Sequence, residues 1–147
     1  MDILELEDAP IRIDAQGKWY HGLHRLHPRV EKLFEEHIEI NAEGIYEIHV
    51  GTSRAPLYVE DCAFFVRALD FNFEEGRLID VLVGISDHTQ EKLDPCTLMQ
   101  DENHVFYCRL LRSGWKAPCR FLPKHYHQLF LQADFHAATA EITIGNK

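Results

Sequence analysis

Ile11 and Ile13 alternate with Arg12 and Asp14, a period of two that predicts a short, half-buried strand. The stretch "DAQG" then turns the chain: an aspartate side chain can bond its own backbone, and Gly17 tolerates positive φ. Trp19 and Tyr20 open a return strand, so residues 11–21 read as a hairpin. Pro28 fits the first turn of a helix, where its missing N–H is no loss. Val30, Leu33, Phe34 and Ile38 then fall on one apolar stripe, with Glu31, Lys32, Glu35 and Glu36 on the other side. The spacing predicts a helix over 28–38.

The same order returns near the other end. "HVFYCRLL" is a strand candidate, "RSG" a turn, Trp115 opens the next element, and Pro123 starts a helix with Tyr126, Leu129, Phe130 and Ala133 on one stripe. Trp19 and Trp115, Val30 and Tyr126, Leu33 and Leu129, and Phe34 and Phe130 are all 96 residues apart, while Pro28 and Pro123 are one residue out of step. Two ββα units of similar pattern therefore flank a middle section. One such unit leaves an apolar helix face and two sheet edges uncovered, and pairing two of them closes a core.

The middle reads as strands. "GIYEIHVG" sets Tyr46, Ile48 and Val50 against Glu47 and His49, and "PLYVED" offers Leu57 and Val59. "CAFFVRALDF" is nearly all apolar, which predicts a central strand covered on both faces. "NFEEG" is a turn, after which Ile79, Val81, Val83 and Ile85 alternate. "SDHTQEKLDPCTL" leaves room for a short strand, and "AEITIG" is a final one. Strands do not alternate regularly with helices, so a doubly wound sheet is excluded. The fold class is α+β: mostly antiparallel sheet with two amphipathic helices and an internal ββα repeat. No Gly/Ser linker divides the chain, and residues 1–147 are expected to form a single compact domain, with two similar lobes (about 1–73 and 77–147) as the alternative.

Composition changes this picture little. A chain of 147 residues with 46% hydrophobic and 27% charged side chains is large enough for a core of its own. A net charge of −9 speaks against nucleic acid or an anionic membrane as partner. No apolar run approaches the roughly 18–20 residues of a membrane helix. The acidic start, "MDILELEDAP", resembles no targeting signal, so a cytoplasmic location is expected. Cys62, Cys96, Cys108 and Cys119 are scattered, which suits free thiols. Protonating all ten histidines would take the charge from −9 to +1.

"IRIDAQGKWYHG", "VEKLF", "GIYEIHV", "YVEDCAFFVRALDF" and "APCRFLPKHYHQL" resemble, in that order, the bacterial family called domain of unknown function 1285. The resemblance spans roughly residues 11–130, and "GKWY" and "VEDCAFF" are its most specific pieces. The chain departs from the family pattern at "GTSRAP", where a Thr-Pro-type segment is expected, and at "CA", where a proline is usual. The resemblance implies an α+β fold with repeated motifs and a role in signalling or regulation. It supplies no catalytic residues.

Candidate chemistry is sparse. His21, His24 and His27 recur every three residues, but Pro28 places them before the helix, where that spacing brings no ligands together. His125 and His127 lie in the matching second copy. Glu60 and Asp61 are neighbours on a strand and point to opposite faces, a poor acid/base pair. "SDH" at residues 86–88 has triad letters without triad geometry. No dinucleotide or phosphate loop is present, so no cofactor is expected. The reading that remains is a non-enzymatic binding or regulatory module. Its expected ligand residues are the aromatics Trp19, Tyr20, Tyr46 and Trp115, with Asp61 and Arg67 orienting the ligand. Its partner would be a protein or a small molecule. A metal-assisted hydrolase using the histidine clusters is the alternative, and a homodimer through exposed strand edges a third option.

Overall fold

A computed structural model describes the backbone of residues 10–140 and the side chains of residues 10–132. The strand expected over 140–145 and the helix position Ala133 fall outside the described backbone or side chains. The chain forms two compact units: Met1–Phe64 with Leu110–Ala117, and Phe65–Arg109 with Pro118–Lys147. The described strands form two six-stranded sheets.

In the first unit β1 (Ile11–Ile13) and β2 (Trp19–His21) form the expected hairpin, followed by β3 (His24–Arg25), α1 (Pro28–Glu35), β4 (Ile38–Ile40), β5 (Tyr46–Val50) and β6 (Ser53–Val59). The sheet order is β3-β2-β1-β6-β5-β4. The β1–β6 pair is parallel, Ile11 opposite Leu57, among antiparallel neighbours. Ile11, Ile13, Trp19, Ile48, Ala55 and Leu57 point to the core face and are at most 5% exposed. Phe34 of α1 meets Trp19 there, with ring centroids 6.0 Å apart.

α1 is shorter than expected. Ile38 belongs to β4 and pairs with Ile48 instead of continuing the helical stripe. The helix stops because the His37 N–H bonds back to the Phe34 carbonyl, tightening the last turn, and the His37 ring lies 2.7 Å from the Leu33 carbonyl. Its start is capped by His27, whose Nδ1 accepts the Arg29 N–H at 3.1 Å, with Pro28 in the first turn. With the stripe cut short, Phe34 is buried but Leu33 is 41% exposed.

The second sheet contains β7 (Phe64–Glu74), β8 (Arg77–Ile85), β9 (Gln90–Lys92), β10 (Met99–Gln100), β11 (Phe106–Arg112) and β12 (Trp115–Phe121), in the order β10-β11-β12-β7-β8-β9. A 3-10 turn at Pro95–Thr97 is capped by Asp94. α2 (Pro123–Ala140) closes the described chain, with Leu129 buried and Phe130 edge-on to Phe106 at 4.9 Å. β7 is central in the strand order, as expected, but it is not covered on both faces. Phe64, Phe65 and Val66 are at most 1% exposed, whereas Phe73 at the far end is 46% exposed. The hairpin simply outruns its cover: register shifts at Val66/Ala68 and Asn72/Phe73 twist β7 and β8 past the core.

The fold is α+β, and hairpin-plus-helix pieces occur at both ends. A larger repeat contains them. Shifting the first sheet's strand numbers by six gives 9-8-7-12-11-10, which is the second sheet's order read from its other edge. The sequence trace of this duplication is "RAPLYV" against "KAPCRF". Ala55 and Ala117 are buried at corresponding places in β6 and β12, each followed by a proline and then by a buried Leu57 or Cys119. A helix follows the third strand of the first sheet, and the short 3-10 turn stands there in the second.

Candidate functional site

Alternation along β1, β2 and β6 puts one set of side chains in the core and the other on an open face. On β6, Ala55 and Leu57 go inward while Arg54, Pro56 and Tyr58 go outward, Tyr58 being 56% exposed. The strand register aligns the outward residues across the sheet: Arg25 opposite Tyr20, Tyr20 opposite Arg12, and Arg12 opposite Tyr58. A row of alternating guanidinium and phenol rings therefore crosses four strands.

The members of this row are held differently. Arg25 is neutralised by Glu31, Nε to Oε2 at 3.0 Å. The Tyr20 hydroxyl donates to Asp14 Oδ2 at 3.4 Å, which fixes the ring. Arg12 lies over that ring with Cζ 4.3 Å from its centroid. Among the described residues no carboxylate is within ion-pair distance of the Arg12 or Arg54 guanidinium. Towards the β4 edge, Arg54 stands opposite His49 and Pro56 opposite Glu47. Glu47 is occupied: its Oε1 is 2.7 Å from His49 Nε2, and its Oε2 accepts from Asn41 Nδ2 at 3.1 Å. The His49 hydrogen bond holds the Glu47 carboxyl below the usual glutamate range, against a smaller opposing effect of burial, with the Asn41 bond and the charges of His49 and Arg54 adding to it. The centre of the face therefore presents the guanidinium groups of Arg12 and Arg54, neither in an ion pair among the described residues, beside an exposed phenol and a proline.

The residues expected from sequence to bind ligand do not gather in one place. Trp19 is fully buried and offers no surface; its indole Nε1 has no protein acceptor among the described residues. Tyr20 is half-buried in the row above. Tyr46 is half-buried at the start of β5, 6.3 Å from Phe64. Trp115 is 43% exposed and lies on the β4–β5 loop, where its Nε1 donates to the Asn41 carbonyl at 3.1 Å. Asp61 is half-buried just beyond β6, and Arg67 is exposed on β7 of the second unit. Sequence reasoning missed Arg12, Arg54 and Tyr58. The signal was present as polar positions alternating with Ile11, Ile13, Ala55 and Leu57, but the pairing of β1 with β6 that makes them neighbours joins segments more than 40 residues apart.

Among the described residues no group of three or more His, Cys, Asp or Glu side chains converges as a metal site would require. His21 and His24 are cross-strand partners in the β2–β3 pair, His27 is committed as the helix cap, and His125 bonds Gln128 at 3.1 Å. Cys62, Cys108 and Cys119 are buried and Cys96 is exposed, and none of the four is in a disulfide. No helix among the described residues is long and apolar enough to cross a membrane.

Fold and face together define an α+β protein with a duplicated six-stranded sheet. It shares this fold with solved proteins of the DUF1285 family, the family its sequence resembles. One, from Shewanella baltica OS155, superposes with a TM-score of 0.65 at 16% identity, covering 86% of this chain and 94% of that one. Another, from Silicibacter pomeroyi DSS-3, gives 0.65 at 14% identity over 82% of this chain and 67% of that one. No family model and no curated protein matches the chain.

Proposed function

We propose that the protein is a non-enzymatic binding module of the cytoplasm, acting in regulation or signalling, and that the open face of its first sheet is the recognition surface. The observation that supports this reading is Arg12. A guanidinium stacked on a fixed tyrosine ring is already oriented, so little rotamer entropy is lost when an anion meets its free N–H groups. Tyr58 and Pro56 beside it supply flat apolar area, and Arg54 a second cation. Aromatic and arginine side chains are the residue types that carry most energy at binding surfaces.

Selection from a displayed library of random peptides tests the reading. The wild-type chain should enrich a family of sequences that an Arg12→Ala/Tyr58→Ala double variant does not. The same enrichment with both proteins, or none with the wild type, would overturn it. Both substitutions are at outward positions, so folding of the double variant, checked by its denaturation midpoint, should be close to wild type.

A further inference from the structure

We propose that a notch at the free edge of β8, in the second sheet, is a binding site for a small branched aliphatic α-amino acid. The inference is independent of the open face of the first sheet. β9 covers only part of β8: Leu82, Val83 and Gly84 pair with Lys92, Glu91 and Gln90, and the Leu93 N–H reaches the Val81 carbonyl at 2.8 Å. Pro95, which has no N–H to give, then opens the 3-10 turn and takes the chain off the edge. β8 runs on to Arg77 with no strand beside it on that side among the described residues. A bulge lies in this uncovered stretch. Asn72 pairs with Asp80 and Phe73 with Leu78, which leaves Ile79 as an extra residue on β8, and a bulge re-aims the side chain it carries.

The result is a half-open cavity of about 90 Å³. Leu78, Ile79, Val81, Leu93 and Pro95 line it, and Asp80 and Lys92 complete the lining. Its walls are set in advance. Val81 and Leu93 are buried, and the turn that carries Pro95 is fastened twice: the Asp94 side chain accepts the Cys96 N–H at 3.0 Å, and the Pro95 carbonyl accepts the Leu98 N–H at 3.2 Å. Ile79, 54% exposed, is apolar area that a ligand would cover. An apolar cavity of about 150 Å³ takes benzene, so one of about 90 Å³ takes roughly four carbons, the branched side chain of leucine or isoleucine. Charge selects the rest of the ligand. Asp80 Oδ2 and Lys92 Nζ stand 3.8 Å apart, too far for a tight ion pair, and the Lys92 side chain is 68% exposed. Asp80 is steadied by Asn72, whose Nδ2 donates to Oδ1 at 2.6 Å. An ammonium beside Asp80 and a carboxylate beside Lys92, both on the carbon that bears the aliphatic group, answer this pair as a zwitterion does. A hydrocarbon or a fatty acid leaves one of the charges unanswered.

The test is a titration of the isotope-labelled full chain, followed by amide and methyl resonances. L-leucine should shift Ile79, Val81 and Leu93 saturably and leave Arg12, Tyr20 and Tyr58 unmoved. Isocaproate lacks the ammonium, isoamylamine lacks the carboxylate, and L-alanine lacks the branched side chain. Each should bind about tenfold or more weakly than L-leucine, the loss expected for one charged contact or for the missing aliphatic burial. Lys92→Gln, at an exposed site, should weaken L-leucine about tenfold and leave isoamylamine unchanged. No saturable shift in the notch, or shifts confined to other parts of the molecule, would overturn the proposal. Isocaproate or isoamylamine binding as tightly as L-leucine would overturn it too, since the notch would then be an unselective apolar hollow. The same holds if Lys92→Gln binds L-leucine as the wild type does, or loses both ligands alike.

Discussion

Gly44 shows how much one position can demand. Its φ of +82° lies in the left-handed region, and a Cβ there would come within 3.2 Å of the Trp115 ring. Gly51 has a similar φ of +62° but open space around it. Gly51→Ala should therefore cost about 1–2 kcal/mol for backbone strain alone, and Gly44→Ala more, because the indole must also move. Denaturation midpoints of the two variants check this; equal losses would mean that Trp115 does not press on the loop. The two tryptophans make a second contrast. Trp19→Ala empties the core and should cost about 3–5 kcal/mol. Trp115→Ala, at a half-exposed site, should cost about 1–2 kcal/mol in lost contact and one hydrogen bond. The 96-residue offset made the tryptophans look equivalent, yet Trp19 lies in the second strand of its sheet and Trp115 in the sixth strand of the other. Sequence spacing records position along a chain. Exposure depends on which strands end up on either side.

At the scale of elements, one loop recurs three times. In residues 14–18, 41–45 and 101–105 the first side chain's Oδ1 accepts two backbone N–H groups, from positions three and five. The fourth position is left-handed in each: Gly17, Gly44 and His104. The side chain's other end then chooses its partner by chemistry. Asp14 and Asp101 accept from the hydroxyls of Tyr20 and Tyr107, whereas Asn41 donates to Glu47. Asn41→Asp should therefore cost about 1–3 kcal/mol by setting two carboxylates together. Adding Glu47→Tyr to it should recover part of the loss, a coupling a double-mutant cycle measures. Only "DAQG" was recognisable in the sequence as such a loop; "NAEG" and "DENH" carry the same pattern with the glycine or its substitute less conspicuous.

These loops also set the acid response. The Val105 N–H, with smaller help from Asn103, Tyr107 and Arg120 and some opposition from burial, holds the Asp101 carboxyl below its ordinary range, as His49 does for Glu47. A depressed carboxylate contributes stability that is present above its unfolded value, about 4 to 4.5, and is lost as pH falls through the lower folded value. The melting temperature should drop between about pH 5 and 3, and Glu47→Gln should flatten part of that drop. A Glu47→Gln profile parallel to wild type would show that the His49–Glu47 bond carries no stability. The apolar appearance of β8 misled in a different way: Ile79 continues the alternation of the buried Val81, Val83 and Ile85, yet it is 54% exposed. Phe73→Thr should change stability by no more than about 0.5 kcal/mol.

For the whole molecule, local patterning showed the fold class, both helices and most strands, because alternation and amphipathicity are properties of short windows. The duplication of a six-stranded sheet was hidden because its copies differ in where the helix is inserted, so hairpin-plus-helix segments dominated the pattern. The open face of the first sheet was hidden for a related reason. Arg12, Tyr20, Arg54 and Tyr58 are unremarkable polar positions until a parallel pairing of β1 with β6 sets them side by side. An acidic chain of net charge −9 can still carry a local patch of opposite sign, and it is the patch that a partner meets. The most direct measurement is amide and side-chain chemical-shift mapping of the full chain titrated with a peptide enriched in selection. The account predicts perturbations centred on Arg12, Tyr20, Arg54 and Tyr58. Perturbations confined to the second sheet, or to the buried residues around Trp19, would contradict it.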